Sequence, residues 1–219
     1  KWQEGLGGEL ELLVSGSAAL QPRLTRVFTA AGIPVMEGYG LTETSPVIAV
    51  NSFERVKIGT VGHVLENLDV KIQADGEITV KGPSVFQGYY KDDKKTKEAF
   101  TEDGYFMTGD IGHIDEEGFL HITDRKKEMF KTSGGKYVAP QVLENLAKGS
   151  KFIEQIMVVG DGEKMPCALV QPDYAFAKLW AERKHLKIGK TPEEMANSPE
   201  LKARIMKDIN LLNATLGKW

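Results

Sequence analysis

The stretch whose residue types most clearly could do chemistry is Gly38-Tyr39-Gly40-Leu41-Thr42-Glu43, a glycine-flanked aromatic followed by a hydroxyl and a carboxylate. Glycines let a backbone approach a ligand closely, a tyrosine ring can stack on a purine for about 1–3 kcal/mol, and a threonine hydroxyl can bond a phosphate oxygen. A carboxylate at Glu43 suits Mg²⁺, which prefers carboxylate and phosphate oxygens. By itself the stretch also reads as a turn with a helix cap. Further along stand Gly76-Glu77, Gly82, Gly88-Tyr89, then Tyr105-Phe106-Met107-Thr108-Gly109-Asp110, then Asp124-Arg125-Lys126-Lys127-Glu128. Taken singly, Asp110 could cap a turn and residues 125–127 could be a solvated basic run.

Taken together and in this order, these stretches resemble the adenylate-forming, AMP-binding superfamily. The region from Asp124 to Glu144, with Val138-Ala139-Pro140, is most similar to long-chain fatty acyl-CoA synthetases. The resemblance implies that Gly38, Tyr39, Gly40 and Thr42 contact ATP or AMP, with Thr42 and Glu43 catalytic and Glu43 facing Mg²⁺. It implies that Asp110 takes the two ribose hydroxyls, a task suited to two acceptor oxygens in a fork. Arg125 would reach the ribose and phosphate region, and Asp124 would be the hinge between a large and a small domain, since hinges sit at element ends. The small-residue loop Gly16-Ser17-Ala18 would border the acyl and adenine pockets, although such turns after strands are common.

Thr132-Ser133-Gly134-Gly135-Lys136 is not a phosphate loop of the P-loop kind: the spaced glycine is missing, and Tyr137 follows the lysine where Ser or Thr is needed. By resemblance Gly134 lines a channel for the pantetheine of CoA. The implied reaction has two halves: a fatty acid, ATP and Mg²⁺ give acyl-AMP, and CoA then displaces AMP. The superfamily's own phosphate loop and its C-terminal lysine have no match here; Gly217-Lys218 lacks the expected surroundings, and both ends read as cuts. These 219 residues alone are expected to be inactive in adenylation. Other readings stay open: an aryl or short-chain CoA ligase, an adenylation domain that loads a carrier protein, and a nucleotide-binding non-enzyme.

Elements must position these residues. A strand over 9–14, a turn over 15–19, a helix over 23–31 opened by Pro22 and closed by Gly32, and a strand over 33–36 suit one crossover of a parallel sheet. The chemistry-bearing stretch 37–45 is then a loop at the carboxyl end of a strand. Short strands at 70–73, 77–81, 106–108, 111–114 and 119–123, with glycine turns, predict a small antiparallel sheet or barrel. Beyond Asp124 come a strand over 128–132, a helix opened by Pro140, strands over 156–159 and 168–171, a helix capped by Asp173, and helix starts at Thr191-Pro192 and Ser198-Pro199. The fold class is thus α/β and α+β. Residues 1–123 form the end of a large α/β domain, with its crossover in 1–58 and its β subdomain in 59–123, and residues 124–219 form an incomplete small α+β domain.

Composition excludes several function classes. Hydrophobic residues make up 41% and charged residues 27%, the balance of a packed globular protein. A net charge of -3, with 28 basic and 31 acidic residues well mixed, gives no footprint for nucleic acid. No apolar run approaches the roughly 20 residues that span a bilayer. The reading is of a cytoplasmic protein, with peripheral membrane contact and oligomeric state left open. Cys167 lies in an apolar run and is expected to be buried and inert. His63, His113, His121 and His185 show neither metal-ligand spacing nor a partner, and there is no internal repeat or low-complexity segment.

Overall fold

The computed structural model describes residues 2–216, so Gly217-Lys218 lies outside the described residues. The chain divides into two compact units, Lys1–Glu128 and Met129–Trp219.

The first unit begins with a short helix α1 (Trp2–Gly5) and then a strand β1 (Leu13–Ser15), a helix α2 (Pro22–Ala30) and a strand β2 (Val35–Gly40). Strands β1 and β2 pair in parallel, Leu13 opposite Val35, so α2 is the expected crossover. Pro22 sits in its first turn, where its missing N–H costs nothing, and Gly32 takes a φ of +79° just past its end. Two boundaries differ from expectation. Strand β1 starts at Leu13, because its partner begins only after Pro34, which has no N–H to give to a ladder. Strand β2 runs on to Gly40 where a loop was expected, because β3 (Val47–Val50) provides an antiparallel partner, with Tyr39 opposite Ala49 and a bulge before Gly40.

Strand β4 (His63–Val64) extends this sheet, giving the order β1-β2-β3-β4. A second, antiparallel sheet has the order β5-β6-β7-β8, built from β5 (Asp69–Ile72), β6 (Glu77–Lys81), β7 (Phe106–Ile114) and β8 (Leu120–Arg125). A helix α3 (Asp93–Glu98) connects β6 to β7. The two strands expected at 106–108 and 111–114 are one, and Gly109, at φ +75°, carries the chain through the irregular pairing between them. Ile48, Val80 and Phe106 pack with Leu68 in one cluster, and Ala49, Ile78 and Leu120 in another. Each fully buried large aliphatic chain contributes about 1.5–3 kcal/mol of transfer free energy.

The second unit holds a hairpin of β9 (Phe130–Lys131) and β10 (Tyr137–Val138), a helix α4 (Pro140–Ala147), and an antiparallel pair β11 (Ile153–Val159) and β12 (Cys167–Pro172). Helices α5 (Tyr174–Lys184), α6 (Pro192–Asn197) and α7 (Pro199–Thr215) follow. Their starts are those expected: Asp173 accepts from the Phe176 N–H at 2.8 Å, Thr191 and Glu194 form a capping box, and Ser198 caps α7. Phe152, Ile156, Ala177 and Leu201 center this unit's core.

Two expectations are corrected here. Cys167 is exposed, because it lies at the start of β12 in a two-stranded sheet whose outer side is not covered. His121 does have a partner: its Nε2 lies 2.9 Å from Asp115 Oδ2, and its ring stacks on His113 across the β7/β8 pair at 4.6 Å. Among the described residues no helix is long and apolar enough to cross a membrane.

Candidate active site

Extended backbone at β2 aims the Tyr39 side chain at β7. Its hydroxyl donates to Asp110 Oδ2 at 2.7 Å, and its ring packs against both apolar clusters of the first unit. Asp110 is buried on β7, directly opposite Arg125 in the β7/β8 register. The Arg125 Nε lies 3.5 Å from Asp110 Oδ1, with most of the guanidinium in solvent. Three sequence-predicted residues from three strands therefore meet at one point.

Burial is the main influence on Asp110 and raises its pKa above the ordinary carboxylate value; the Tyr39 bond and the Arg125 charge oppose this, and Glu128 and Glu77 add to it. Burial likewise pushes the Tyr39 hydroxyl up, with the Asp110 charge next, so it stays a donor. The turn that presents Asp110 is held from below. Buried Glu77 accepts the Gly109 N–H at 3.0 Å on one oxygen and Lys126 Nζ at 2.7 Å on the other, while Lys126 also reaches Asp75 at 2.7 Å. A Cβ on Gly109 would meet open space, so glycine is needed there for its φ and leaves the approach to Asp110 clear.

A Cβ on Gly40 would run into the Pro46 carbonyl, so the missing side chain there makes room for the protein's own backbone. Past it, Thr42–Thr44 is a single 3₁₀ turn held by Thr44, whose hydroxyl accepts the Leu41 N–H at 3.0 Å and donates to the Pro46 carbonyl at 2.6 Å. Thr42 is exposed, and its hydroxyl has no protein partner among the described residues. Glu43 is half-buried, and its Oε1 accepts from the Tyr89 hydroxyl at 3.1 Å. Burial first, and the Glu43 contact second, push Tyr89 up from its ordinary value. Among the described residues no three His, Cys, Asp or Glu side chains are grouped to hold a metal. A carboxylate oxygen beside an exposed hydroxyl still fits Mg²⁺, which needs few protein ligands when phosphate oxygens and waters complete its shell.

The loop with Gly16, Ser17 and Ala18 is exposed, and Ser17 adopts φ +66°. A Cβ on Gly16 would come 3.6 Å from the Gly38 carbonyl, which places this loop beside the start of the Tyr39 segment. Buried Glu37, whose pKa burial raises against backbone N–H bonds from Leu20 and Gly59, ties the far end of that loop down. Sequence reasoning missed Glu37, since an acid in an apolar strand carries no motif. Asp124 is 1% exposed in β8, and its Oδ1 accepts the Arg125 N–H at 2.6 Å. Gly134 is exposed in the β9/β10 turn of the second unit.

The description of an AMP-binding enzyme matches residues 1–90, and that of an AMP-binding enzyme C-terminal domain matches residues 128–217. This chain belongs to the AMP-binding enzymes. Among curated members, long-chain-fatty-acid–CoA ligase FadD15 of Mycobacterium bovis is 43% identical over 96% of this chain and 36% of its own length. Long-chain-fatty-acid–CoA ligase 6 of Rattus norvegicus is 38% identical over 99% of this chain and 33% of its own. The chain thus spans about a third of the length of these AMP-binding relatives. Among solved structures, O-succinylbenzoate Coenzyme A synthetase from Bacillus subtilis, in complex with ATP and magnesium ion, aligns with a TM-score of 0.67 at 28% identity, over 79% of this chain and 40% of that one.

Proposed function

We propose that the full-length protein carrying this chain is a long-chain fatty acid–CoA ligase, and that the Tyr39, Asp110 and Arg125 cluster is its adenylate site. The observation that carries the reading is the meeting of a tyrosine hydroxyl, a buried carboxylate and a guanidinium within one unit, in an AMP-binding enzyme whose curated relatives are named as such ligases. Asp110 has two oxygens with about four acceptor sites, so it can hold a pair of ribose hydroxyls while keeping the Tyr39 bond. Arg125 puts positive charge beside it. In this reading the purine stacks on Tyr39, which is only partly buried.

In the first half-reaction the fatty acid carboxylate attacks the α-phosphorus, the bond to pyrophosphate breaks, and acyl-AMP forms. Thr42 donates a hydrogen bond to a phosphate oxygen, and Glu43 supplies a carboxylate ligand to Mg²⁺, which when bound neutralises phosphate charge. In the second, the CoA thiol attacks the acyl carbon, the bond to AMP breaks, and the thiol proton is lost. Gly16, Ser17 and Ala18 border the pocket on the β1 side, Gly134 lines the pantetheine channel, and Asp124 is the hinge between a large domain ending at residue 123 and a small one from 124. Tyr39 joins Asp110 to the strand that leads into Thr42 and Glu43, which gives one continuous path from sugar to phosphate.

The test is AMP release by the full-length protein with saturated fatty acids of graded length, with and without CoA. AMP release that requires both a long-chain acid and CoA supports the proposal. Release with a carrier protein but not with CoA, or with aromatic acids only, overturns it.

A further inference from the structure

Glu43 is tethered at both ends by one segment. Its backbone carbonyl accepts the Phe86 N–H at 2.8 Å, and its carboxylate accepts the Tyr89 hydroxyl at 3.1 Å. That segment is itself fixed. The Tyr89 N–H donates to Thr96 Oγ1 at 2.8 Å, and Gly88, at φ +147°, brings the backbone so close to Thr96 that a Cβ could not be placed there. The Tyr89 ring stands edge-on to Phe86 with centroids 4.9 Å apart, and Lys95 Nζ lies 4.9 Å from its centroid. Phe86 in turn packs on Phe100 and Phe106 of the core. A rigid donor therefore selects one orientation of a side chain whose other oxygen has no protein partner among the described residues.

We propose that Tyr89 is a positioning residue: it orders the Glu43 carboxylate so that its free oxygen is set for the metal of a metal–nucleotide complex. The proposal rests on the reading of Glu43 as the Mg²⁺ ligand. A free glutamate gives up rotamer entropy when it is fixed. Tyr89 makes the protein meet that cost on folding and not on binding. Groups that orient a metal-ligating carboxylate typically change metal affinity by about 10–100-fold when removed.

The test uses the full-length protein and Mn²⁺ with ATP, bound Mn²⁺ being read by electron paramagnetic resonance, alongside calorimetry with AMP in the absence of metal. Tyr89→Phe keeps the ring and its packing; Tyr90→Phe, at a position 88% exposed, is the control. The expected result is Mn²⁺·ATP affinity reduced about tenfold by Tyr89→Phe, with metal-free AMP affinity unchanged and no effect of Tyr90→Phe. In a Glu43→Gln background, Tyr89→Phe adds less than about twofold, as expected for two residues acting through one contact. If Glu43→Gln weakens Mn²⁺·ATP and Tyr89→Phe does not, the positioning role is overturned and the metal reading stands. If Tyr89→Phe weakens metal-free AMP equally, Tyr89 is a structural tie and the proposal fails. If Glu43→Gln itself changes nothing, the metal reading falls and this inference goes with it.

Discussion

The Tyr39 hydroxyl stands 2.7 Å from Asp110 Oδ2, so the aromatic residue on the first sheet and the acid on the second are joined side chain to side chain. Asp110 is only 6% exposed, and the Tyr39 donor offsets part of the penalty of burying its charge. Tyr39→Phe keeps the ring and deletes that donor. It should destabilise the protein by about 1–3 kcal/mol, the usual cost of leaving a buried polar group short of a partner. Urea unfolding of the variant beside the wild type measures this. An unchanged midpoint would mean that the bond contributes nothing to the folded state.

A second expectation concerns pH. Burial raises the folded-state pKa of Asp110 above its ordinary value of 3.8. Adenylate binding that depends on the carboxylate is present above the raised value and lost as pH falls through it, so calorimetry with AMP should show affinity failing at a higher pH than an exposed aspartate would give. The same sign predicts that ionised Asp110 penalises folding at neutral pH, a penalty absent below pH 3.8 where both states are protonated. Asp110→Asn should therefore lose about 10–100-fold in AMP affinity at pH 7, since a hydrogen bond to a charged group is worth about 1.5–3 kcal/mol, while its stability relative to wild type is greatest at neutral pH. A variant that binds AMP normally would remove Asp110 from the site.

How legible was this arrangement in the sequence? The crossover of β1, α2 and β2 could be read because proline and glycine mark the ends of α2 and the apolar strands flank it. The helix starts of the second unit were equally plain, since Asp173, Thr191 and Ser198 cap by local side-chain chemistry. Long-range pairing was not readable. That β2 continues through Tyr39 depends on β3, whose partner register no local pattern specifies, and the exposure of Cys167 depends on what covers a sheet face. Of the site, residue types and order pointed to Tyr39, Asp110 and Arg125, but the Tyr39 to Asp110 bond and the Tyr89 tether of Glu43 span 71 and 46 positions and needed coordinates.

Gly40 should tolerate no side chain. The Pro46 carbonyl occupies the place of its Cβ, and β2 and β3 are held in register on either side by Tyr39 and Val47. Gly40→Ala forces the bulge to open, and overpacking of this kind costs about 1–3 kcal/mol or more. Because the 3₁₀ turn with Thr42 and Glu43 follows directly, ATP affinity should fall together with the thermal midpoint. Gly109→Ala is the contrast: there is space for the methyl, and only the positive φ resists it. An undisturbed midpoint in Gly40→Ala would contradict the close approach.

Exposure of Cys167 is checked by thiol labelling of the native protein. Ellman's reagent should modify Cys167 without denaturant, at a rate near that of the unfolded chain, and Cys167→Ser should abolish that adduct in the mass spectrum. The folded core of the second unit, centered on Phe152 and Leu201, does not include this thiol, so labelling should leave the thermal midpoint of the protein unchanged. A native protein that resists the reagent until unfolded would return Cys167 to the interior.

The ion pairs under Asp110 separate a buried contact from an exposed one at a single lysine. Lys126 Nζ is 2.7 Å from Asp75 Oδ2 and 2.7 Å from Glu77 Oε2, but the Asp75 side chain is 51% exposed and that of Glu77 is 7% exposed. Asp75→Asn removes a contact screened by water and should cost less than about 1 kcal/mol. Lys126→Met leaves the buried Glu77 carboxylate with the Gly109 N–H and without its cation, and should cost about 1–3 kcal/mol. Because Glu77 holds the turn that presents Asp110, the lysine variant should also weaken AMP binding, while the Asp75 variant should not. Urea melts and calorimetry on the two variants decide between this and a surface role: equal, small effects from both would mean that Glu77 holds Gly109 without help from Lys126.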